Sequence, residues 1–349
     1  MTYRKYIVIL LCVYLPVGMG ISYLAYTLER FSGDLTRIGG FREKDFGWNG
    51  KLERFEQPLF TQANSLSDYD QKYDVVVFGD SFSDNSDYGW QNFFVNETGL
   101  SLITFHHDSV DKHDLFSHDI FMSHPPRVFI YEIVEHGIHT KLKELRSFKK
   151  APRQLIKSFR QSLSLKPIGI EALPILREKI YSYRIDEPVF FLKRNVKNIF
   201  GRRKAFRHSL SRDDLFSNNK SGDILIYYGD LWKRKVDEKK WEDIEDGFAA
   251  LQSQIELTGD TVFMVMVATD KSTAYSEYII NESSPSYKSI FTRLSGNKGV
   301  RFAPVEEFIK EQIKSGIQDV YLPNDTHWGS EGHKAAASAM IDMLYFQPD

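Results

Sequence analysis

Tyr73-Asp74-Val75-Val76-Val77-Phe78-Gly79-Asp80-Ser81-Phe82-Ser83-Asp84 is the stretch whose reading decides the fold. A short apolar, β-branched run that breaks on a glycine and passes at once into small polar residues is the pattern of a buried strand ending in a tight turn. Ser81 falls on that turn. A hydroxyl at the carboxyl end of a central strand, beside backbone N–H groups, is where open α/β sheets place their chemistry. Far along the chain, Asn324-Asp325-Thr326-His327-Trp328 offers a histidine with an aspartate two residues before it. If the fold brings the two stretches together, they supply a nucleophile, a base and an orienting carboxylate.

Outward from the serine, strands and helices alternate. Leu102 to Phe105, Arg127 to Val134, Thr261 to Val267 and Gly299 to Pro304 read as further strands. Trp90 to Thr98, Trp241 to Leu257, Ser286 to Leu294, Val305 to Ser315 and Gly329 to Leu344 read as helices. This rhythm predicts a mostly parallel, doubly wound sheet. Glu29 to Asp70 is polar, punctuated by Gly39-Gly40 and Gly47-Trp48-Asn49-Gly50, and holds no sustained period, as expected of a stalk or an irregular lead-in. Gly137 to Ile224 breaks the rhythm with Pro152, Pro167, Pro174 and Pro188, and its apolar spacing suggests a mostly helical insertion. The expected layout is residues 1–30 as an anchor, 31–72 as the lead-in and 73–349 as one domain, interrupted by the insertion at 137–224.

The 349 residues suffice for one large domain or two ordinary ones. The net charge of −2 conceals an asymmetry: Lys141 to Arg212 carries 20 Lys and Arg against 5 Asp and Glu, so the flanks are acidic. The lone Cys12 excludes an intrachain disulfide. After Arg4 and Lys5, the 23 residues Tyr6 to Leu28 carry no charge, which is enough to cross a bilayer. An uncleaved membrane anchor is the expectation. A cleaved signal peptide, with Gly18 and Gly20 near its end, is the rival, but the run is long for one. The leading cations favour a cytoplasmic N-terminus, which puts a single-pass protein in the inner membrane with its domain on the periplasmic side.

Gly-Asp-Ser by itself is also what any polar turn contains. The strand before it and the Asp-Thr-His-Trp loop raise the functional reading together. His106, His107, His113, His118 and His124 lack tight ligand spacing and lie among Asp and Ser, which favours a solvated loop over a metal site; neither a metal nor another cofactor is expected. The basic insertion is a solvated surface by default, and attraction to anionic headgroups or to an acidic polysaccharide stays open. Nucleic acid is not an expected partner, because no recognisable motif is present.

Gly79-Asp80-Ser81-Phe82 with Asp325-Thr326-His327-Trp328 resembles the two catalytic blocks of the SGNH (GDSL) hydrolase superfamily, and more narrowly the polysaccharide O-acetyltransferase branch that includes the alginate acetyltransferases. Glu132-Ile133-Val134-Glu135 and Asp270-Lys271-Ser272-Thr273-Ala274-Tyr275 are similar to that branch too. The resemblance implies a flavodoxin-like three-layer α/β/α sandwich, with Ser81 as nucleophile, His327 as base and Asp325 as its partner. It further implies an O-acetyltransferase that acts on a cell-surface or secreted polysaccharide and is supplied by a membrane-bound O-acyltransferase. An esterase using the same triad, or a non-catalytic assembly component, are the alternatives.

Two departures stand out. In the alginate enzymes the Asp-x-His block precedes the serine block; here the serine comes first, as in ordinary SGNH hydrolases and the D-alanine transfer protein of teichoic acid synthesis. The arginine expected after the second glutamate of Glu-x-x-Glu is His136. No clear Gly-x-Asn-Asp block occurs, so Gly89 and Asn92 are candidates for the second oxyanion donor beside the Ser81 N–H. Glu132 and Glu135 are candidates for hydrogen-bonding a substrate or for satisfying buried backbone. Lys271 and Tyr275 follow the fourth strand, where Tyr275 is a candidate for stacking on a sugar ring. Trp328 is expected to pack against the loop that carries His327.

Overall fold

The computed structural model describes residues 3–27, 32–141, 204–230, 238–256, 259, 261–280, 290–294 and 299–345. Residues 286–289, the start of one expected helix, and most of the basic insertion lie outside the described residues. Two compact units are present. In the first, α1 (Tyr3–Thr27) is long and apolar enough to cross a membrane, with a stretch of 18 residues from Tyr3 to Gly20 meeting that criterion.

The second unit runs through α2 (Asp34–Gly39), α3 (Glu43–Phe46), β1 (Thr61–Ala63), β2 (Val75–Gly79), α4 (Trp90–Thr98), β3 (Leu102–His106), α5 (Lys112–Ser117), α6 (Asp119–Ser123) and β4 (Val128–Val134). It continues with β5 (Ala205–Leu210), β6 (Asp223–Tyr227), α7 (Glu238–Glu256), β7 (Val262–Ala268), α8 (Lys271–Ala274), β8 (Ile279–Ile280), α9 (Phe291–Leu294), α10 (Val305–Lys314) and α11 (Ser330–Tyr345). A five-stranded sheet in the order β1-β3-β2-β4-β7 forms its centre, and every neighbouring pair is parallel.

β2 is buried along its whole length, as a β-branched run covered on both faces must be. Its side chains alternate between two apolar cores. Val75 and Val77 pack with Trp90 and Phe94 of α4, Ile309 of α10 and Met340 of α11. Val76 and Phe78 pack with Ile244, Phe248 and Leu251 of α7 on the other face. These are the three layers of an SGNH-like α/β/α sandwich. Counted from β2, the strand order is 2-1-3-4, so the chain reverses direction across the sheet between β2 and β4. Such a switch point opens a crevice at the carboxyl ends of its strands.

Three expectations change. Gly299 to Pro304 is no full strand: it adds one parallel bridge, Phe302 to Val265, on the outer side of β7. Gly299 takes a left-handed φ of 68° at one end, and Pro304, which has no N–H to give, stands at the other. The described end of the insertion is not helical either, because β5 pairs antiparallel with β6 and β8 in a small second sheet. Along β5 Arg207 and Ser209 are exposed while Phe206, His208 and Leu210, which alternate with them, are half-buried or buried, which is a strand's period. Finally, residues 32–72 do more than lead in: β1 extends the main sheet beside β3, and Leu35 and Phe46 form a small core with Ala205 and Leu225.

Candidate active site

Asp80 and Ser81 open a short 3₁₀ turn, Ser81–Ser83, at the carboxyl end of β2. The Asp80 side chain accepts from the Phe82 N–H at 3.2 Å through one oxygen and from the Val134 N–H at 2.7 Å through the other, tying the turn to the end of β4. From beneath, Glu132 Oε2 accepts from the Asp80 N–H at 2.7 Å and from Ser83 Oγ at 2.9 Å. Gly79 makes that approach possible, since a β-carbon there would lie 2.7 Å from the same carboxylate oxygen. Glu132 is fully buried; burial and the neighbouring Asp80 push its carboxyl well above the usual range. It therefore braces the nucleophile turn and is not presented to a substrate.

Opposite, the loop 322–328 delivers the second block. His327 Nδ1 lies 2.6 Å from Asp325 Oδ1 and its Nε2 lies 2.9 Å from Ser81 Oγ. With Nδ1 protonated toward the carboxylate, Nε2 is free to accept the serine proton. Burial alone would lower the histidine's pKa, but its hydrogen bond to Asp325 and that carboxylate's charge raise it. The same pair, against the opposing effect of burial, holds the Asp325 carboxyl well below its usual range. Trp328 is fully buried and meets Phe82 edge-on at 4.6 Å, while Phe82 also lies 4.9 Å from the His327 ring.

The backbone of this loop is held from two sides. Lys271, buried below it, donates from Nζ to the carbonyls of Leu322 at 2.7 Å, Pro323 at 2.9 Å and Asp325 at 3.2 Å. Burial, only partly offset by Asp325, Asp319 and Asp230, lowers its pKa to about 7. From the other side the segment Ser32–Glu43 docks. The Asp34 N–H donates to Asp325 Oδ2 at 2.9 Å and the Leu35 N–H to the Asn324 carbonyl at 2.9 Å. Asn324 Nδ2 in turn donates to Ser32 Oγ at 2.7 Å and to Glu43 Oε2 at 2.9 Å. A β-carbon at Gly33 would collide with the Asn324 carbonyl. Composition cannot signal this contact, because backbone groups make most of it.

The remaining candidates separate. Glu135, also buried, accepts from the Asp270 N–H at 2.6 Å and from Thr273 Oγ1 at 2.8 Å, so it secures the start of α8. Asn92 is spent on the Ser86 carbonyl at 2.9 Å and the Leu59 N–H at 2.7 Å, and the Gly89 N–H on Asn85 O at 3.0 Å; neither lines a cavity with Ser81, so neither serves as oxyanion donor in this arrangement. Tyr275 is fully buried between Phe216 and Tyr321, and burial raises its pKa, so it offers no face to a sugar.

Ser81 lies at the border of two cavities. The larger, about 850 Å³, is lined among others by His106, His139, Tyr227 and Tyr228; the smaller, about 280 Å³, by Asp34, Arg37, Lys204, Thr326 and His327. Ser81, Val134, His136 and Tyr227 line both. Two groups of side chains among the described residues are close enough to share a cation, Asp34/Asp325/His327 and His136/Asp230/Asp270, and in each a histidine–aspartate hydrogen bond of 2.6 Å already joins the groups.

A serine hydroxyl, an imidazole and a half-buried carboxylate in one hydrogen-bonded chain can perform acyl transfer. No curated protein and no solved structure matches the chain. Residues 226–348, which carry Asp230, Lys271, Asp325 and His327 but begin after Ser81, match the family model described as "SGNH hydrolase-like domain, acetyltransferase AlgX", and this part of the chain is accordingly an SGNH-like domain similar to that type.

Proposed function

We propose that the protein is a membrane-anchored, extracytoplasmic O-acyltransferase that acetylates a polysaccharide through an acyl-serine at Ser81. The observation that carries this reading is the chain Ser81 Oγ–His327 Nε2 at 2.9 Å and His327 Nδ1–Asp325 Oδ1 at 2.6 Å, placed at the border of two cavities. His327 takes the Ser81 proton as Oγ attacks the acyl carbonyl carbon, and the bond to the leaving group breaks as the imidazolium returns that proton to it. An acceptor hydroxyl then gives its proton to His327 and attacks the acyl carbon, and Ser81 recovers the proton as it leaves. The Ser81 N–H faces the developing oxyanion, a contribution of about 3 kcal/mol. The AlgX-like match supports a polysaccharide acceptor, α1 is compatible with a membrane anchor, and a membrane-bound O-acyltransferase as acyl supplier follows from the family resemblance alone.

The test is incubation of the full-length protein in detergent micelles with an acetyl ester, with and without an unacetylated oligosaccharide, followed by mass analysis. Acetylated oligosaccharide is expected, and its loss in Ser81→Ala and His327→Ala. Acetate as the sole product would make the protein an esterase; undiminished product in both variants would remove the triad from the reaction.

A further inference from the structure

His136 stands where the turn after β4 reaches the crevice, in the 3₁₀ segment Glu135–Gly137. Its Nδ1 lies 2.6 Å from Asp270 Oδ1 and 3.7 Å from Asp230 Oδ1, and its own N–H reaches the same Asp270 oxygen at 3.2 Å. Both carboxylates are buried, and the imidazole side chain is only 25 % exposed. Among the described residues none accepts from its Nε2. An imidazolium has two N–H donors; Asp270 takes the one on Nδ1, and the one on Nε2 is not sealed in the protein but opens onto accessible space. The acceptor is therefore to be sought in the cavities that His136 lines.

Those cavities are the two that meet at Ser81. Whichever of them receives the acyl group, Ser81 and His136 both line it. The other polar side chain common to both, Tyr227, is uncharged and lies 5.4 Å from the His136 ring. Neither Asn92 nor Gly89 is free to serve. We propose that His136, as an imidazolium, donates its Nε2–H to the acyl carbonyl oxygen at Ser81 and stabilises the charge that oxygen gains in the tetrahedral intermediate. The inference rests on the acyl-serine reading and adds a second oxyanion donor beside the Ser81 N–H.

The groups facing His136 are Asp270 before α8, Asp230 after β6, Asp80 after β2, and His139 and Tyr227 at its sides. Burial alone would depress its pKa; Asp270 first, then Asp230 and Asp80, outweigh that and hold it near about 9. The donor is thus charged throughout the neutral range and is lost as pH rises through about 9.

The experiment measures kcat/KM for 4-nitrophenyl acetate against pH with the full-length protein in detergent micelles. His136→Gln is expected to lose about 100-fold, the usual scale for one oxyanion donor, and to lose the alkaline limb. Asp230→Asn, which keeps the imidazole, is expected to move that limb to lower pH. Unchanged kcat/KM and limb in a His136→Gln protein with an unaltered melting temperature would overturn the proposal; if that variant does not fold, an unmoved limb in Asp230→Asn overturns it instead. Ser81→Ala separates the two levels. An active Ser81→Ala removes the acyl-serine reading and this inference together, whereas an inactive one beside an unaffected His136→Gln removes only the role of His136.

Discussion

Two histidine–aspartate pairs flank Ser81, and their shortest contacts are equal: His327 Nδ1 to Asp325 Oδ1 and His136 Nδ1 to Asp270 Oδ1 are both 2.6 Å. What surrounds those contacts differs. Asp325 spends its second oxygen on the Asp34 N–H, the second carboxylate near His327 is that of the partly exposed Asp34, and His327 Nε2 meets a hydroxyl that can give up a proton. His136 faces two buried carboxylates, and its Nε2 meets no protein group among the described residues. On the reading proposed above, one contact geometry serves a base in the first case and a standing cation in the second, and the burial of the second carboxylate, together with what meets Nε2, separates them.

Altering the first pair should have the largest effect. Asp325→Asn would let the imidazole adopt the wrong tautomer, and kcat for acetyl-ester cleavage should fall about 10⁴-fold with little change in KM. Gly33→Ala should lower kcat by about 100-fold, because the collision with the Asn324 carbonyl displaces the loop by a fraction of an ångström to an ångström. A chromogenic assay beside a melting curve checks both. Equal rates in wild type and Asp325→Asn would erase the distinction between the pairs.

Lys271→Met should act on stability. It leaves the carbonyls of Leu322, Pro323 and Asp325 without their donor, each loss costing about 1–3 kcal/mol where water cannot enter, and thermal unfolding should shift down accordingly. The gentlest probe is pH. His327 must be neutral to take a proton, and its pKa is raised, so activity should fall as pH drops through a value above the ordinary 6.5. The stability linked to Asp325 has the opposite origin: its depressed pKa stabilises the fold above the usual carboxylate range and the contribution fades as the carboxylate protonates in strong acid. A rate profile and a set of melting curves against pH separate the two.

Much of this was legible in local pattern. Val75 to Gly79 is a continuous apolar run, buried from both sides, and such a run announces a central parallel strand without help from the rest of the chain. The Asp-Thr-His spacing is local as well, since Asp325 and His327 bond within three residues. The failures have physical reasons. β5 carries Arg207 and His208 on a strand whose outer face meets water, so its period is hidden among the charges of the basic stretch. Tyr275 follows a strand end, as a site residue would, but α8 turns it into the core. Asn92 has the right chemistry for an oxyanion donor and is instead consumed in fixing the start of α4. His136 stood out only as a departure from an expected arginine, because Asp230 and Asp270 come from distant parts of the chain.

The docking of Ser32–Glu43 on the histidine loop bears on timing. Asp34 and Asp325 are 291 positions apart, and Ser81 and His327 are 246 apart. A ribosome makes the first member of each contact long before the second, and distant partners are the slowest to meet. A chain interrupted between Ala268 and His327 contains the serine, its brace and all five strands of the main sheet, yet lacks the histidine. On the acyl-serine reading proposed above, reactivity toward acyl esters is thus withheld until His327 has been made and its loop has folded against the segment around Asp34.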